Sequence, residues 1–411
     1  MASTRLQLAV KGKACNFLTS QPEISLFKTA FRRYSNFASN SEELQLLPRV
    51  EFGQKVECVL QPIGDLISSV YLMIRLPRFD TLDDLKDKDK DKYNWIENVA
   101  YHLIESCTLH IGSQLVCTLN SMFIYINNCI NSTHQENIDN SKLIDSKNPI
   151  IYLKLPFWFS KHIGLSLPVF GIKSPIKVVI KFRDLNELYT GPSNLRISNN
   201  RMILNTSLLV NYIFLDENER NEFASSKLKY LIEQPQVITN VMFNEHENFG
   251  KVALNFNNAV FQLMWIVQKN DLMSWKKKVH KSEDFEYEED DEMESGNDWY
   301  NFELDNKFDS FERGKIVING TDRTNNLPAS YYRLIQNKEH CANVPENNIY
   351  SYNFGLQNMN NQPSGAINFN NCSNVVLIME FNNNLYKKNV TVFAKNYNLL
   401  KIEKGNVEIK F

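Results

Sequence analysis

The chain has 411 residues, 43% of them hydrophobic and 22% charged, with a formal net charge of −2. This composition suits a globular protein with substantial cores, and the length suits two or three domains. It lacks the cationic excess that a protein coating nucleic acid uses to neutralise phosphates, and it has no apolar run near the ~18 residues needed to cross a bilayer.

The predicted elements are mostly short strands. In KVECVLQ the residues Val56, Cys58 and Leu60 share one face, and in SVYLMIRL so do Val70, Leu72, Ile74 and Leu76. Such alternation marks antiparallel strands with one buried face. The stretch Asp83 to Lys92 (DDLKDKDKDK) alternates charge and is too polar to pack, so Asp87, Lys88 and Asp89 are expected in an exposed loop. SCTLHIGSQLVCTL reads as a hairpin, with Cys107, Leu109 and Ile111 facing Leu115, Cys117 and Leu119 across a turn at Gly112-Ser113. SMFIYINNCI predicts a helix capped by Ser121, with Met122, Tyr125, Ile126 and Cys129 as its buried stripe. IKVVIKF sets Ile176, Val178, Ile180 and Phe182 opposite Lys177 and Lys181.

DENERNEFASSKLKYLIEQ predicts a second helix, in which Asp216 and Glu219 resemble a capping box. It divides about 215 residues from about 196, each a suitable size for one β-sandwich. Strands resume with Val252, Leu254 and Phe256. The acidic run Glu283 to Glu294, preceded by Lys276, Lys277, Lys278 and Lys281, is expected to be a second solvated loop exposing Glu288, Glu289, Asp290 and Asp291. KIVINGTDR carries an Asn-Gly turn, a strong hairpin signal, and NVVLIMEF, VTVFAKNY and NVEIKF close the chain as strands. Aromatic residues reach 12%, which also leans toward β structure. The pattern is all-β, in sandwiches or barrels, with few helices.

Motifs for chemistry are missing. The seven Cys include no C-x-x-C pair and read as buried thiols in a reducing compartment, and the seven His include no HExxH spacing. A calcium loop starting at Asp291 would put Gly296 at its sixth position, but Met293 and Phe302 occupy ligand positions. There is no G-x-S-x-G elbow and no glycine-rich phosphate cradle. Asp83-Asp84 and Asp290-Asp291 read as solvated pairs. Asp65, after Gly64 in QPIGDLI, is read as a turn residue bonding nearby amides. The sequons at Asn131, Asn205, Asn319, Asn371 and Asn389 are read as coincidences of an Asn-rich chain. The N-terminal MASTRLQLAVKGK has no apolar core of a signal peptide. No cofactor, metal or catalytic residue is expected, and the profile is that of a building block acting through its surfaces.

Several segments in order carry a resemblance: FLTSQPEISLFKTAFRRYSNFA (Phe17 to Ala38), FGQKVECVLQPIGDLISSVYLMIRLP, LPFWFSKHIGLSLPVFGI (Leu155 to Ile172), YIFLDENERNEFASSKLKYLIEQPQ, FNNAVFQLMWIVQ (Phe256 to Gln268), VINGTDR, and YSYNFGLQNMNNQPSGAINF (Tyr350 to Phe369). Together they resemble the major capsid proteins of nucleocytoplasmic large DNA viruses, the group of iridoviruses, phycodnaviruses and mimivirus-like viruses. The opening departs from the family's usual Gly at Ser20 and its Asn-Pro at Gln21-Pro22.

The resemblance implies a double jelly roll, two consecutive eight-stranded antiparallel sandwiches. The domains would be an arm over 1–40, a first jelly roll over 41–215, a helical linker over 216–235 and a second jelly roll over 236–411. It further implies a structural, non-enzymatic subunit of an icosahedral capsid that forms homotrimeric, pseudo-hexameric capsomers. Its partners would be its own copies, neighbouring capsomers, minor capsid proteins and an inner viral membrane, with no direct nucleic acid and with assembly in the host cytoplasm. Phe31, Arg32, Arg33 and Tyr34 combine charge and rings as interface anchors do and are candidate subunit or partner contacts. Two other readings remain at this point: an assembly scaffold or minor capsid paralogue of the same fold, and a carbohydrate- or receptor-binding β-sandwich.

Overall fold

The computed structural model describes residues 2–77, 94–132, 150–190, 204–270, 276–281, 287–294, 299–304, 309–381 and 386–411, with backbone alone for 2, 190, 276–281 and 287–294. Residues 1–36 and 37–411 form two compact units. In the first, Ala2–Ala9 and Lys13–Thr19 are short helices, and bends, a turn and irregular backbone follow. Residues 3–36 are exposed throughout. Helices this short are marginal without a buried face.

In the second unit, every strand pairing among the described residues joins strands of the same half, 37–215 or 228–409. The first half holds a five-stranded sheet in the order Phe37–Gln45, Asn205–Leu215, Leu66–Arg75, Ile150–Lys154, with Leu167–Pro168 also on Leu66–Arg75. Its four-stranded sheet runs Lys55–Leu60, Ile176–Phe182, Ile104–Ile111, Gln114–Asn120. All these pairings are antiparallel. The alternation explains the faces. Val56, Cys58, Leu60, Val70, Leu72, Ile74, Ile176, Val178, Ile180 and Phe182 are buried. On the other face Lys177 and Lys181 pair with Glu57 and Glu105 at 3.3 and 2.8 Å.

Two local expectations need correction. The hairpin turns at Gly112 as expected, but its register shifts between Leu109 and His110. The bulge buries Val116 and turns Leu115 outward, because one extra residue reverses which side chains face the core. The helix Ser121–Asn131 is capped by Asn120, whose side chain accepts from the Phe123 amide at 2.7 Å, rather than by Ser121. Phe123, Ile124, Tyr125, Ile126 and Ile130 are buried, while Met122 and Cys129 are only partly so. The helix is covered on more than one side: Phe123 meets Phe393 and Tyr125 meets Tyr300, at 6.1 and 4.3 Å between ring centres. A single stripe suits a one-sided helix, and this one lies between the halves.

The second half repeats the two-sheet plan. Its six-stranded sheet runs Leu228–Phe243, Lys388–Glu403, Ala259–Lys269, Tyr350–Asn353, with Ile367–Asn368 and Asn406–Ile409 attached. Its five-stranded sheet runs Phe249–Ala253, Val375–Glu380, Arg313–Ile318, Thr321–Asp322, with Leu327–Pro328 attached. Asn319 and Gly320 make the expected turn, both at positive φ (51° and 78°). Between the sheets Trp265 packs on Tyr332 at 5.2 Å, and Phe311 on Tyr350 at 4.6 Å. The Tyr332 hydroxyl donates to Gly314 O at 2.9 Å and Tyr350 Oη accepts from the Ser310 amide at 2.6 Å, so these two tyrosines bring no orphan polar tip into the core. The apolar cluster of the first half runs on into Ile232, Met264, Ile266, Phe393 and Leu400 of the second.

The helix between the halves is shorter than expected. It covers Glu217–Ser225, and Leu228–Phe243 is strand. Residues 228–235, assigned to a helical linker, therefore belong to the second sandwich. Leu228, Leu231 and Ile232 fit helical spacing, yet the pairing of Leu228 to Ile238 with Val392 to Ile402 supplies a backbone partner that local propensity does not foresee. Asp216 caps the helix by accepting from the Glu217 amide, without the reciprocal bond of a capping box. The acidic run is also not simply loop. Tyr287–Glu294 pairs antiparallel with Lys276–Lys281, so Glu288, Glu289, Asp290 and Asp291 lie on a strand. Its register sets Lys276 opposite Glu294 and His280 opposite Glu288. Asp83 to Lys92, with Asp87, Lys88 and Asp89, lies outside the described residues.

Candidate assembly surface

Asp65 looked like a turn carboxylate and is a long-range tie. Its buried side chain accepts from the Leu215 amide at 2.9 Å and from Arg220 Nε at 3.0 Å. It thereby holds the last strand of the first half and the helix that follows. Gly64 is needed beside it because a Cβ there would stand 2.8 Å from Tyr212 Cβ. Both oxygens are engaged by structure, which leaves this carboxylate no chemistry to do.

The buried titratable groups read the same way. His102 is buried and stacks on Trp299 at 4.6 Å between ring centres, and neither ring nitrogen has a hydrogen-bond partner. Burial, then the nearby Arg183, pushes its pKa down to about 2, so it packs as a neutral ring. Burial pushes the Cys58 thiol up to about 11 and Cys117 to about 12, far from thiolate reactivity. Among the described residues no group of three His, Cys, Asp or Glu is placed to hold a metal ion. No helix among them is long and apolar enough to cross a membrane.

The surface is more informative. Phe37–Gln45 ends one sheet and is almost wholly exposed, but its Ser39, Asn40, Ser41, Glu42 and Glu43 blunt the open edge. Leu228–Phe243 ends the six-stranded sheet. Pro235, which has no amide to donate, is tolerated there because the strand is at an edge. This strand exposes Leu231, Val237 and Met242, and Phe249 follows on the edge of the companion sheet. Met242 and Phe249 are each 62% accessible. Sequence reasoning missed this apolar flank, although a proline inside an alternating run was a usable sign of an edge.

Phe31, Arg32, Arg33 and Tyr34 lie outside any helix or strand, between the second short helix and Phe37–Gln45. Phe31 is 91% and Tyr34 85% accessible, and Phe17, Leu26 and Phe27 are similarly bare. Neither guanidinium forms an ion pair with a described residue.

The family model described as "Large eukaryotic DNA virus major capsid protein" matches residues 219–407, and that described as "Major capsid protein N-terminus" matches residues 25–216. The major capsid protein of Pyramimonas orientalis virus is 26% identical, over 98% of this chain and 98% of that protein. Capsid protein 1 of Acanthamoeba polyphaga mimivirus is 28% identical, over 67% of this chain and 50% of that protein. In structure, a chain of the PBCV-1 virus capsid superposes with a TM-score of 0.77 at 21% identity, covering 94% of this chain and 100% of that one. The two matched regions adjoin and follow the two β-halves, each a pair of packed antiparallel sheets, and the fold is the double jelly roll. The chain belongs to the major capsid protein family of large eukaryotic DNA viruses and is a structural component of the virion capsid.

Proposed function

We propose that the chain is a non-enzymatic shell subunit that trimerises, so that six sandwiches give a capsomer of pseudo-hexagonal outline able to tile flat facets. The observation that carries this is the pairing pattern. Each half closes its strand ladders on itself among the described residues, and the two halves meet through packed side chains and a few backbone bonds outside those ladders, so one chain supplies two similar blocks. Residues 41–215 form the first jelly roll in this reading and 236–411 the second, with the boundary strand Leu228–Phe243 joining the second. The apolar flank of Leu231, Val237, Met242 and Phe249 faces a neighbouring subunit, which removes both the exposed apolar surface and the open edge.

The arm then contacts neighbouring capsomers or minor capsid proteins through Phe31, Arg32, Arg33 and Tyr34. The segments around Asp87 to Asp89 and Glu288 to Asp291 face outward, and the opposite end faces minor proteins and an inner membrane, with assembly in the host cytoplasm. Light scattering after size exclusion tests the core of this reading. Three copies of a 47.9 kDa chain should read about 144 kDa. A monomer that remains a monomer at high protein concentration would overturn trimerisation by this chain alone.

A further inference from the structure

A cavity of about 410 Å³ lies where the two halves meet. Phe123, Trp158 and Lys161 line it from the first half, and Glu233, Asn358 and Lys395 from the second. Its volume falls within the range of small-molecule sites, and its mixture of rings and a few polar groups is what such sites have.

Lys395 is the anomaly. It sits mid-strand on Lys388–Glu403, between Pro235 and Gln262 on the flanking strands. A lysine at the centre of a covered sheet is unusual. Its side chain is only partly accessible, and it lines the cavity. The nitrogen lies 5.9 Å from the centre of the Phe123 ring, and it has no hydrogen-bond acceptor among the described residues. The carboxylate in the wall acts on it only from a distance, because Glu233 Oε1 is held by Lys161 at 2.5 Å. A covered ammonium without an acceptor is costly, and proteins pair such charges.

We infer that this cavity binds a small organic anion, with one carboxylate on Lys395 and an apolar body against Phe123 and Trp158. A single charge fits better than a phosphate dianion, because among the described residues the wall offers one cation without a hydrogen-bond acceptor and Glu233 is close. Since the lining comes from both halves, the bound anion fastens the two sandwiches together. Burial pushes the Lys395 pKa down to about 8, with Lys161 adding to it and Glu233 and Cys341 opposing. An anion held there would push it up again.

The test is thermal unfolding of the full chain at pH 7 with octanoate, against octanamide as its neutral analogue. Octanoate is expected to raise Tm by at least about 2 °C, octanamide by clearly less, and Lys395→Met should abolish the difference. Equal shifts from both probes, no shift from octanoate, or a difference that persists in Lys395→Met would each overturn the site. If the variant does not fold, the wild-type protein at pH 9.5 decides. In the free protein Lys395 has then largely lost its proton, while octanoate stays ionised and Cys341, raised to about 11, stays neutral. The margin of octanoate over octanamide should collapse, and a margin unchanged from pH 7 would overturn the proposal.

Discussion

The N-terminal 36 residues and the body use the same kinds of side chain to opposite effect. In the body, Phe182, Phe261 and Trp265 are fully covered, whereas in the arm Phe17, Phe27 and Phe31 are almost completely bare. Burying such rings is a leading source of folding stability. The arm's rings contribute nothing of that kind to this chain by itself. Large apolar residues kept in solvent mark surfaces made for contact with something else. In the proposed reading the body's rings report on folding and the arm's on assembly, and substitutions should separate the two.

The largest effect belongs to the core. Trp265→Ala removes the ring on which Tyr332 and Tyr350 pack and should destabilise the protein by about 3–5 kcal/mol in urea unfolding. A loss under 1 kcal/mol would mean that the aromatic cluster is not packed as described. Asp65→Ala comes next. It strips the Leu215 amide and Arg220 of their shared acceptor and should cost about 1–3 kcal/mol. Arg220→Ala should cost less, because Arg220 is more than half exposed and its ion pair is screened.

Tyr332→Phe keeps the ring but loses its bonds to Gly314 O and Thr324, so a loss of about 1 kcal/mol is expected, measured as a shift in urea midpoint at constant slope. At the far end, Phe31→Ala with Tyr34→Ala should leave unfolding of the isolated protein within about 0.5 kcal/mol of wild type while reducing incorporation into particles. A large drop in stability from this pair would erase the distinction between arm and body.

Much of the body was legible because its faces follow a period of two. The strands at Val56, Val70, Ile176 and Val252 needed only local alternation, and Asn319-Gly320 needed only the preference of a tight hairpin for positive φ. What local pattern could not supply was register. The bulge that exchanges Leu115 for Val116 depends on the partner strand. Leu228, Leu231 and Ile232 fit a helix as well as a strand until Lys388–Glu403 is placed beside them. The acidic hairpin was hidden because charge density argued for solvent and the paired basic strand is a tertiary fact. Of the candidate surface, the arm residues were visible as rings beside charges, but the apolar flank and the cavity were not. Lys395 in VTVFAKNY looks like any solvent-facing lysine, and only the first half, folded over it, makes it a covered one.

The pairing of Phe37–Gln45 with Asn205–Leu215 also bears on the order in which the chain is made. The opening strand of the first sandwich has no ladder until its last strand exists, and Asp65 waits equally for Leu215 and Arg220. A ribosome must therefore release some 220 residues before this half can close, and meanwhile Phe37–Gln45 stands unpaired. The second sandwich repeats the delay, since Leu228–Phe243 and Ala259–Lys269 both await Lys388–Glu403 close to the C-terminus. Such late closure makes nascent chains vulnerable to one another, most of all when many copies of the same coat protein are translated side by side.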